Sequence, residues 1–440
     1  MSDAACKVLA SWFPRYEACD EKGGDTFSYG RLLPLFTTYA DVRSRAFRFS
    51  RSSINRDSRW SAVHRTARTP GRSLPSKAGK RLNKSVSAAG ETMSEPVRNS
   101  VDSTRFTPSA SCDPDISALA ATALDGTKLV NHISLLPTSQ RPWGAPQEAR
   151  IKLLCFHPEP HCTFEIDLRT QSGWYRMIGK VYATDRGDLY QVMEGLRRAG
   201  FGPEGEFSIP RPLAYLPSLR LLLQERVDGM MAKEIFKLGD GRQCAAAAER
   251  CGRWLGRFQA LAPPSGQISG VERFLRSAER KCRLISEADT AWAPKSQRLL
   301  EQLRASALSL AASPTCAGHG DYCEHQIVFA KGRTVVFDWD LYDISHPARD
   351  VAKFIVSLER LAMKHLGSIR ALDGAAEVFL RAYLASGGHP HVAPALPFYK
   401  AVLWLKGRTK AIQTGAAGWR EQAEIMVGES FRNIASILPP

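Results

Sequence analysis

The sequence predicts an α+β protein with two lobes, a small antiparallel β lobe followed by a larger helical lobe, behind a disordered basic N-terminal region. Three observations favour this fold class. Apolar and polar residues alternate at strand spacing between positions 150 and 227, apolar residues recur at helical spacing from position 228 onward, and Arg and Ser dominate a stretch near the N-terminus. The predicted domains are a largely disordered tail, 1–110, a linker with a short helix, 111–149, a β lobe, 150–227, and a helical lobe, 228–440.

The N-terminal tail holds most of the excess positive charge. Residues 41–110 contain 15 Lys and Arg against 5 Asp and Glu, so they supply ten of the 16 net positive charges of the chain. Large apolar residues are sparse there, and burial cannot offset the conformational entropy lost on ordering. Two interpretations stay open. The tail contacts an anionic surface such as nucleic acid or lipid headgroups, or it is a solvated extension without a dedicated role, which we favour.

Composition limits the class of protein. The 440-residue chain is 44% hydrophobic, which suits a globular protein with a sizeable core. No apolar run reaches the roughly 18 residues of a membrane span, and the N-terminus lacks the pattern of a secretory signal. The ten cysteines are scattered and form no Cys-x-x-Cys pair. We therefore expect reduced thiols in a cytoplasmic protein, without a zinc or redox site.

The β lobe is predicted from period-two segments. In one of them Phe164 and Ile166 alternate with polar neighbours, as in a half-buried strand. The predicted strands are Arg150–Phe156, Cys162–Leu168, Trp174–Ala183, Ile209–Leu216 and Leu221–Val227. One helix, Asp188–Ala199, interrupts them after the third strand, and a short helix, Ile116–Leu124, precedes them. Three successive strands predict an antiparallel meander.

The second lobe is predicted to be helical except for one β-hairpin. Apolar residues recur at helical spacing in each predicted helix. The predicted helices are Cys244–Leu261, Val271–Ile285, Ser296–Ala311, Arg349–Leu366, Ile369–Leu384, Ala395–Thr414 and Trp419–Leu438.

The most informative motif lies around this hairpin. His319-Gly320-Asp321 is followed by Gln326, and a strand-like segment then leads to Asp338. Phosphoryl transfer to a hydroxyl needs one carboxylate that takes the hydroxyl proton, and an amide oxygen and a second carboxylate that hold Mg²⁺. Asp340 points to the same side of an extended strand as Asp338. It is a further candidate for the metal shell or for substrate contact.

This segment resembles the aminoglycoside-phosphotransferase and choline-kinase-like family, whose catalytic stretch reads His-Gly-Asp, four residues, Asn, and then a strand ending in Asp. Most of the family has Asn where this sequence has Gln326. The maltokinase-like sugar-kinase branch also has Gln at this position. Ser345–Ala352 follows where the family opens a helix with Pro and Asp. The resemblance implies a protein-kinase-like fold that uses ATP and Mg²⁺ to phosphorylate a hydroxyl of a small polar molecule, a sugar or amino sugar first and an aminoglycoside second.

The resemblance also implies roles for individual residues. Asp321 would be the catalytic base, and the metal ligands would come from Gln326, Asp338 and Asp340. The implied nucleotide-binding residues are Lys180 on the third strand, its candidate partner Glu194, and the hinge residues Gln224, Glu225 and Val227. Glu204 and Glu206 compete with Glu194 as partners of the lysine. No Gly-x-Gly-x-x-Gly precedes Lys180, and the turn His157–His161 is the candidate cover over the phosphates.

Other interpretations remain. The chain could be a catalytically inactive pseudokinase or nucleotide-sensing module of the same fold, or an anion-binding protein that works through its tail. Lys180 could instead be a surface lysine with a buried stem, although we favour the phosphate-binding role. His319 is expected to hold the catalytic loop by hydrogen bonding. Asp350 is expected to accept N–H bonds at the start of its own helix.

Overall fold

The structure, a computed structural model, describes residues 116–156, 161–310, 313–406 and 412–435. The predicted tail, 1–110, and most of the candidate phosphate-covering turn, residues 157–160, lie outside the described residues. The first described elements are two helices, α1 (Ile116–Leu124) and α2 (Gly126–Ser134), and three strands, β1 (Pro146–Phe156), β2 (His161–Thr170) and β3 (Gly173–Tyr182).

The remaining elements of the β lobe follow β3. They are helix α3 (Gly187–Leu196) and strands β4 (Phe207–Ser208), β5 (Pro212–Leu216) and β6 (Leu221–Glu225). Five strands form one sheet in the order β1-β2-β3-β6-β5, and every neighbouring pair is antiparallel. The predicted meander and the α+β fold class are thus confirmed.

Helices α1 and α2 belong to the core of this lobe. The sequence predicts α1 with the observed bounds but takes the rest of 111–149 as linker, whereas the structure adds α2. Asp125 caps α2 by accepting the N–H groups of Thr127 and Lys128, both at 3.1 Å. Leu129 and Ile133 of α2 are fully buried in the same hydrophobic cluster as the inner face of β2. The two helices therefore cover the face of the sheet that carries Phe164 and Ile166.

The predicted strand Ile209–Leu216 is shorter in the structure, and a separate two-residue strand precedes it. Residues 207–208 form β4, which pairs in parallel with β11 (Arg333–Val336) of a different sheet, and residues 212–216 form β5. Pro210 and Pro212 lie at the break. Proline cannot donate a ladder hydrogen bond, so a continuous strand through both positions is unfavourable.

The second lobe is mainly helical, as predicted. Its first elements are β7 (Met230–Met231), α4 (Ala232–Leu238), α5 (Gly241–Leu261), β8 (Ile268–Ser269), α6 (Val271–Ala288), α7 (Ala293–Leu310), β9 (Cys316–Gly318) and β10 (Ile327–Ala330). Strand β11 comes next, followed by β12 (Asp343–Ser345), α8 (Ala348–Leu366), α9 (Asp373–Ala385), α10 (Val392–Leu405) and α11 (Trp419–Ala435). The predicted helix Ala395–Thr414 corresponds to α10, which ends at Leu405 with Lys406 as its C-cap.

Two small sheets support the loops between these helices. One has the order β4-β11-β10-β7 and contains the predicted hairpin, in which β10 and β11 are antiparallel. The other has the order β8-β12-β9. Since β9 precedes the His-Gly-Asp loop and β12 precedes α8, this three-stranded sheet fixes the distance between the loop and that helix. Within the described residues no helix is both long and apolar enough to cross a membrane.

Candidate active site

The catalytic-loop candidate is tied to helix α8 by one buried carboxylate. Asp350 Oδ2 accepts the N–H of His319 at 2.7 Å, and its Oδ1 accepts the N–H of Gly320 at 3.2 Å. Asp350 is the third residue of α8 and only 1% exposed. The prediction that it accepts bonds at the start of its own helix is wrong, because the carboxylate faces the loop 30 residues earlier in the chain.

A buried arginine balances the charge of this carboxylate. Arg349 contacts Asp343 Oδ1 at 2.5 Å through Nη1 and Asp350 Oδ1 at 3.1 Å through Nε. The three charged side chains are therefore paired and additionally hydrogen-bonded, as buried ions must be. Asp343 is thus a structural residue of β12 that joins the strand to α8.

His319 links the loop to the strand that leads to Asp338. Its Nδ1 lies 3.3 Å from the N–H of Asp321, and its Nε2 lies 3.1 Å from the carbonyl oxygen of Phe337. Nδ1 must accept and Nε2 must donate, so the contacts define a neutral imidazole with its proton on Nε2. His319 is fully buried and holds the loop, as the sequence predicts.

Two backbone positions of the site lie in the left-handed region. Gly320 has φ of 86°, and a Cβ atom there would collide with the carbonyl oxygen of Leu341. The glycine of the motif is therefore required on both counts. Asp338 has φ of 71°, which is unusual for a residue with a side chain. Such strain often marks a functional position, where the surrounding structure holds the residue in place.

Tyr322 anchors the other side of the loop to helix α5. Its hydroxyl donates to the carbonyl oxygen of Cys251 at 2.7 Å, and its ring stacks on Trp254 with centroids 5.7 Å apart. Trp254 also contacts Trp339, the residue between the two acids at the strand end. One buried aromatic cluster thus supports both the loop and the strand end that carry the candidate acids.

The acids and the amide of the motif are in contact. Gln326 Nε2 lies 3.0 Å from Asp338 Oδ2 and 3.4 Å from Asp321 Oδ2. The hairpin β10–β11 therefore returns Asp338 to the end of the cleft where Asp321 and Gln326 lie, as the spacing predicts. Two carboxylates and one amide oxygen can surround a hard cation, since Mg²⁺ prefers oxygen ligands.

Lys180 makes two ion pairs with this group. Its Nζ lies 2.8 Å from Asp338 Oδ1 and 2.5 Å from Asp340 Oδ2, although it comes from β3 in the other lobe. Burial lowers the pKa of Lys180, but the two carboxylates outweigh it and raise the pKa above its ordinary value. Burial alone would raise the pKa of Asp338, whereas the contact with Lys180 lowers it. Lys180 and Asp338 are therefore both charged at neutral pH.

Asp340 has both carboxylate oxygens engaged within the protein. Oδ1 accepts the hydroxyl of Tyr182 at 2.9 Å, while Oδ2 contacts Lys180 and lies 3.5 Å from His161 Nδ1. Arg186 Nη2 donates to its backbone carbonyl oxygen at 3.2 Å. The sequence predicts a metal-ligand role for Asp340, but the structure places it as the partner of Lys180.

Glu194 does not reach Lys180. It lies on α3, where Oε2 contacts Arg197 Nη2 at 3.0 Å, an i,i+3 pair on the helix surface. The face of α3 that packs inward carries the apolar residues Leu189, Met193 and Leu196. The prediction of Glu194 as the partner of the lysine is therefore wrong, because Asp340 occupies that place.

The three hinge residues differ in their surroundings. Gln224 lines a cavity of about 10 Å³ behind Lys180, which Asp338 and Asp340 also line. The N–H of Glu225 donates to the carbonyl oxygen of Arg211 at 2.8 Å, and its Oε1 contacts Arg333 Nη2 at 3.2 Å. Val227 packs against the four-stranded sheet of the second lobe. Of these three residues, the structure brings only Gln224 to the group around Lys180.

Sequence reasoning missed Lys353. Its Nζ lies 2.6 Å from Asp321 Oδ1, so the candidate base forms an ion pair with a lysine. Lys353 is three residues after Asp350 on α8, and residues at i and i+3 share a helix face. That spacing is the signal that could have revealed it, once Asp350 is known to face the loop.

A family model matches the part of the chain that contains these residues. Residues 178–395 match the model of the phosphotransferase enzyme family. A comparison with curated protein sequences finds no match. The resemblance stated from the catalytic segment is thus confirmed by the family model.

Three solved structures are similar to the chain at low identity. A choline/ethanolamine kinase family protein from Mesorhizobium loti is 13% identical, with coverage of 71% of this chain and 95% of that chain and a TM-score of 0.44. A glucosamine kinase in complex with glucosamine, ADP and inorganic phosphate is 17% identical, with coverage of 66% and 82% and a TM-score of 0.44. An ADP-bound aminoglycoside phosphotransferase is 14% identical, with coverage of 68% and 98% and a TM-score of 0.45.

Proposed function

Because residues 178–395 belong to the phosphotransferase enzyme family, we propose that this protein transfers the terminal phosphoryl group of ATP to a hydroxyl of a small polar molecule. The first substrate class is a sugar or amino sugar, and the second is an aminoglycoside. The observation that carries the proposal is the contact of Asp321, Gln326 and Asp338 at the end of one cleft, with Lys180 on Asp338.

Asp321 is the proposed catalytic base. Its side chain is one-third exposed, so a hydroxyl can reach it. In the reaction the acceptor oxygen forms a bond to the γ-phosphorus, the bond from that phosphorus to ADP breaks, and the hydroxyl proton moves to the carboxylate of Asp321. Catalysis then depends on holding the hydroxyl and phosphate in line, since the protein supplies little covalent chemistry itself.

Gln326 and Asp338 would hold Mg²⁺. The donor set fits, because Gln326 can present its carbonyl oxygen where its amide N–H now faces Asp338, and one-third of the Asp338 side chain is exposed. When bound, Mg²⁺ would neutralise charge on the β- and γ-phosphates. Lys180 would then exchange Asp338 for phosphate oxygens while Asp340 keeps its ammonium group in place.

The charge near Asp321 favours a sugar over a polycationic acceptor. Lys353 contacts Asp321 directly, and the ammonium group of Lys406 lies 5.6 Å from the centre of the Phe274 ring. Desolvation, followed by the positive charges of Lys353 and Arg349, lowers the pKa of Lys406, and Asp321 opposes this shift. Lys353 therefore places one cation directly at the proposed base, and this cation repels an acceptor that carries several ammonium groups.

A pseudokinase or nucleotide-sensing module is the second candidate. Lys180 binds Asp338 directly at 2.8 Å, and the cavity behind it measures only about 10 Å³. Both observations favour a protein in which the candidate phosphate-binding lysine and the candidate metal ligand Asp338 bind each other. Under this alternative the protein would bind nucleotide in the presence of Mg²⁺ without turning over any acceptor.

The test is ATP consumption by the purified protein with Mg²⁺ across neutral sugars, amino sugars, aminoglycosides and choline-like alcohols, with Asp321→Ala as the control. Turnover that depends on one acceptor class and is lost in the variant supports the proposal and identifies that class. Nucleotide binding without turnover on the whole panel supports the pseudokinase. Faster turnover of aminoglycosides than of neutral sugars would contradict the charge argument.

The partner of Lys180 is tested by two matched variants. Asp340→Asn removes one of the two anions that hold the ammonium group, so we expect kcat/KM for ATP to fall by about 10- to 100-fold, because a charge-assisted hydrogen bond contributes about 1.5–3 kcal/mol. Glu194→Gln, on the surface of α3, should leave kcat/KM near the wild-type value. A larger loss of kcat/KM in Glu194→Gln than in Asp340→Asn would instead identify Glu194 as the partner of Lys180.

A further inference from the structure

A continuous chain of contacts runs through the site with a lysine at each end. Lys180 contacts Asp338 at 2.8 Å, Asp338 contacts Gln326 at 3.0 Å, Gln326 lies 3.4 Å from Asp321, and Asp321 contacts Lys353 at 2.6 Å. Lys180 comes from the β lobe and Lys353 from α8 of the helical lobe. The phosphoryl group transferred in the proposed reaction must pass between Asp338 and Asp321, and therefore between the two lysines.

Lys353 is held at its position by the backbone of the site. Asp350, one turn earlier on α8, binds the N–H groups of His319 and Gly320 at 2.7 and 3.2 Å. Arg349 fixes Asp350 in turn. The loop that carries Asp321 and the helix that carries Lys353 thus form one rigid unit, and such preorganised charge is effective in catalysis.

The ammonium group of Lys353 can face the reacting atoms. A general base lies within about 2.6–3.2 Å of the hydroxyl it deprotonates, and the reacting atoms are about 3–3.5 Å apart. Lys353 Nζ is 2.6 Å from the base, and one-quarter of its side chain is exposed. Burial lowers the pKa of Lys353, but Asp321 more than compensates, so the group is charged.

The catalytic loop has no cation of its own. Residues 319–326 contain neither Lys nor Arg, and phosphoryl transfer spreads negative charge over the oxygens of the transferred group. We infer that Lys353 is a catalytic lysine, which binds the transferred phosphoryl group at the acceptor side while its contact with Asp321 orients the base. This inference rests on the proposed phosphotransferase function and adds a residue to its machinery.

The test compares Lys353→Met, Lys353→Gln and Lys353→Arg with Lys364→Met, an exposed lysine of the same helix. With the acceptor found in the panel, we expect the Met and Gln variants to lose about 10²–10³-fold in kcat, the usual cost of removing one preorganised group. KM for ATP should stay near the wild-type value, since Lys180 holds the ground-state phosphates. Lys353→Arg should recover part of kcat, and Lys364→Met should behave as wild type.

A binding measurement separates this inference from the proposed function. Calorimetry with Mg²⁺ and ADP, with and without aluminium fluoride as a mimic of the transferred group, should show that Lys353→Met weakens only the binding that requires aluminium fluoride. Wild-type turnover with unchanged kcat in the Met and Gln variants would overturn the role of Lys353 and leave the function intact. Equal binding of aluminium fluoride by the wild type and the variant would overturn it even without turnover. A wild-type protein that binds no nucleotide would overturn both.

Discussion

Replacing Asp321 by Asn is expected to lower kcat by about 10²–10⁴-fold, the usual contribution of general acid–base catalysis. Asn keeps the shape of the side chain and can still contact Gln326, but it cannot take the hydroxyl proton. KM for ATP should change little, because the nucleotide side of the site is held by Lys180 and Asp338. The measurement is steady-state kinetics with the acceptor that supports turnover in the wild-type protein.

The control for this experiment is Asp373→Asn, a half-exposed carboxylate at the start of α9 that lies 3.8 Å from Arg370. It should keep wild-type kinetics, and both variants should unfold at the wild-type temperature. A folded Asp321→Asn variant that retains full kcat would remove the base assignment. Loss of nucleotide binding in that variant would instead show that Asp321 holds the phosphates.

The arrangement of the motif residues in the site was predictable, because short segments of chain connect them. Asp321 and Gln326 are separated by a short loop, and a tight antiparallel hairpin determines where Asp338 returns. These relations depend on backbone geometry over a few residues, and sequence patterns report that geometry directly.

The partners of the charged groups were not predictable in the same way. Lys180 and Asp340 are separated by 160 positions in the chain, and nothing local distinguishes Asp340 from Glu194 as the anion that reaches the lysine. The choice depends on how the two lobes pack, since Asp340 is held by Tyr182 and Arg186 of the β lobe. Composition shows that acids are available but not which one the fold brings into contact.

The boundary of the β lobe shows a similar limit. Residues 116–134 have the short apolar segments of a linker helix, yet they form two helices that bury Leu129 and Ile133 against the sheet. A helix of nine residues has little stability alone and depends on tertiary packing. The sequence predicts α1 because its apolar residues are frequent, and it does not predict α2 because the mean apolar content there is low.

Replacing Asp350 by Ala is expected to destabilise the protein by about 3–5 kcal/mol, the cost of removing one partner from a buried ion pair. The substitution leaves Arg349 with Asp343 alone, and it leaves the buried N–H groups of His319 and Gly320 without their acceptor. Urea unfolding measures the free energy difference. Kinetics should show a parallel loss of kcat, because the loop that carries Asp321 is no longer fixed to α8.

Two further variants decide how Asp350 acts. Asp350→Asn keeps an oxygen that can accept one loop N–H but removes the charge, so its free energy of unfolding should lie between those of the wild type and Asp350→Ala. Asp373→Ala removes a half-exposed carboxylate at a helix start and should change stability by less than about 1 kcal/mol, as surface substitutions usually do. If Asp350→Ala is no more destabilising than Asp373→Ala, the carboxylate does not hold the catalytic loop. A stable Asp350→Ala variant with normal kcat would also show that Asp321 and Lys353 keep their contact without it.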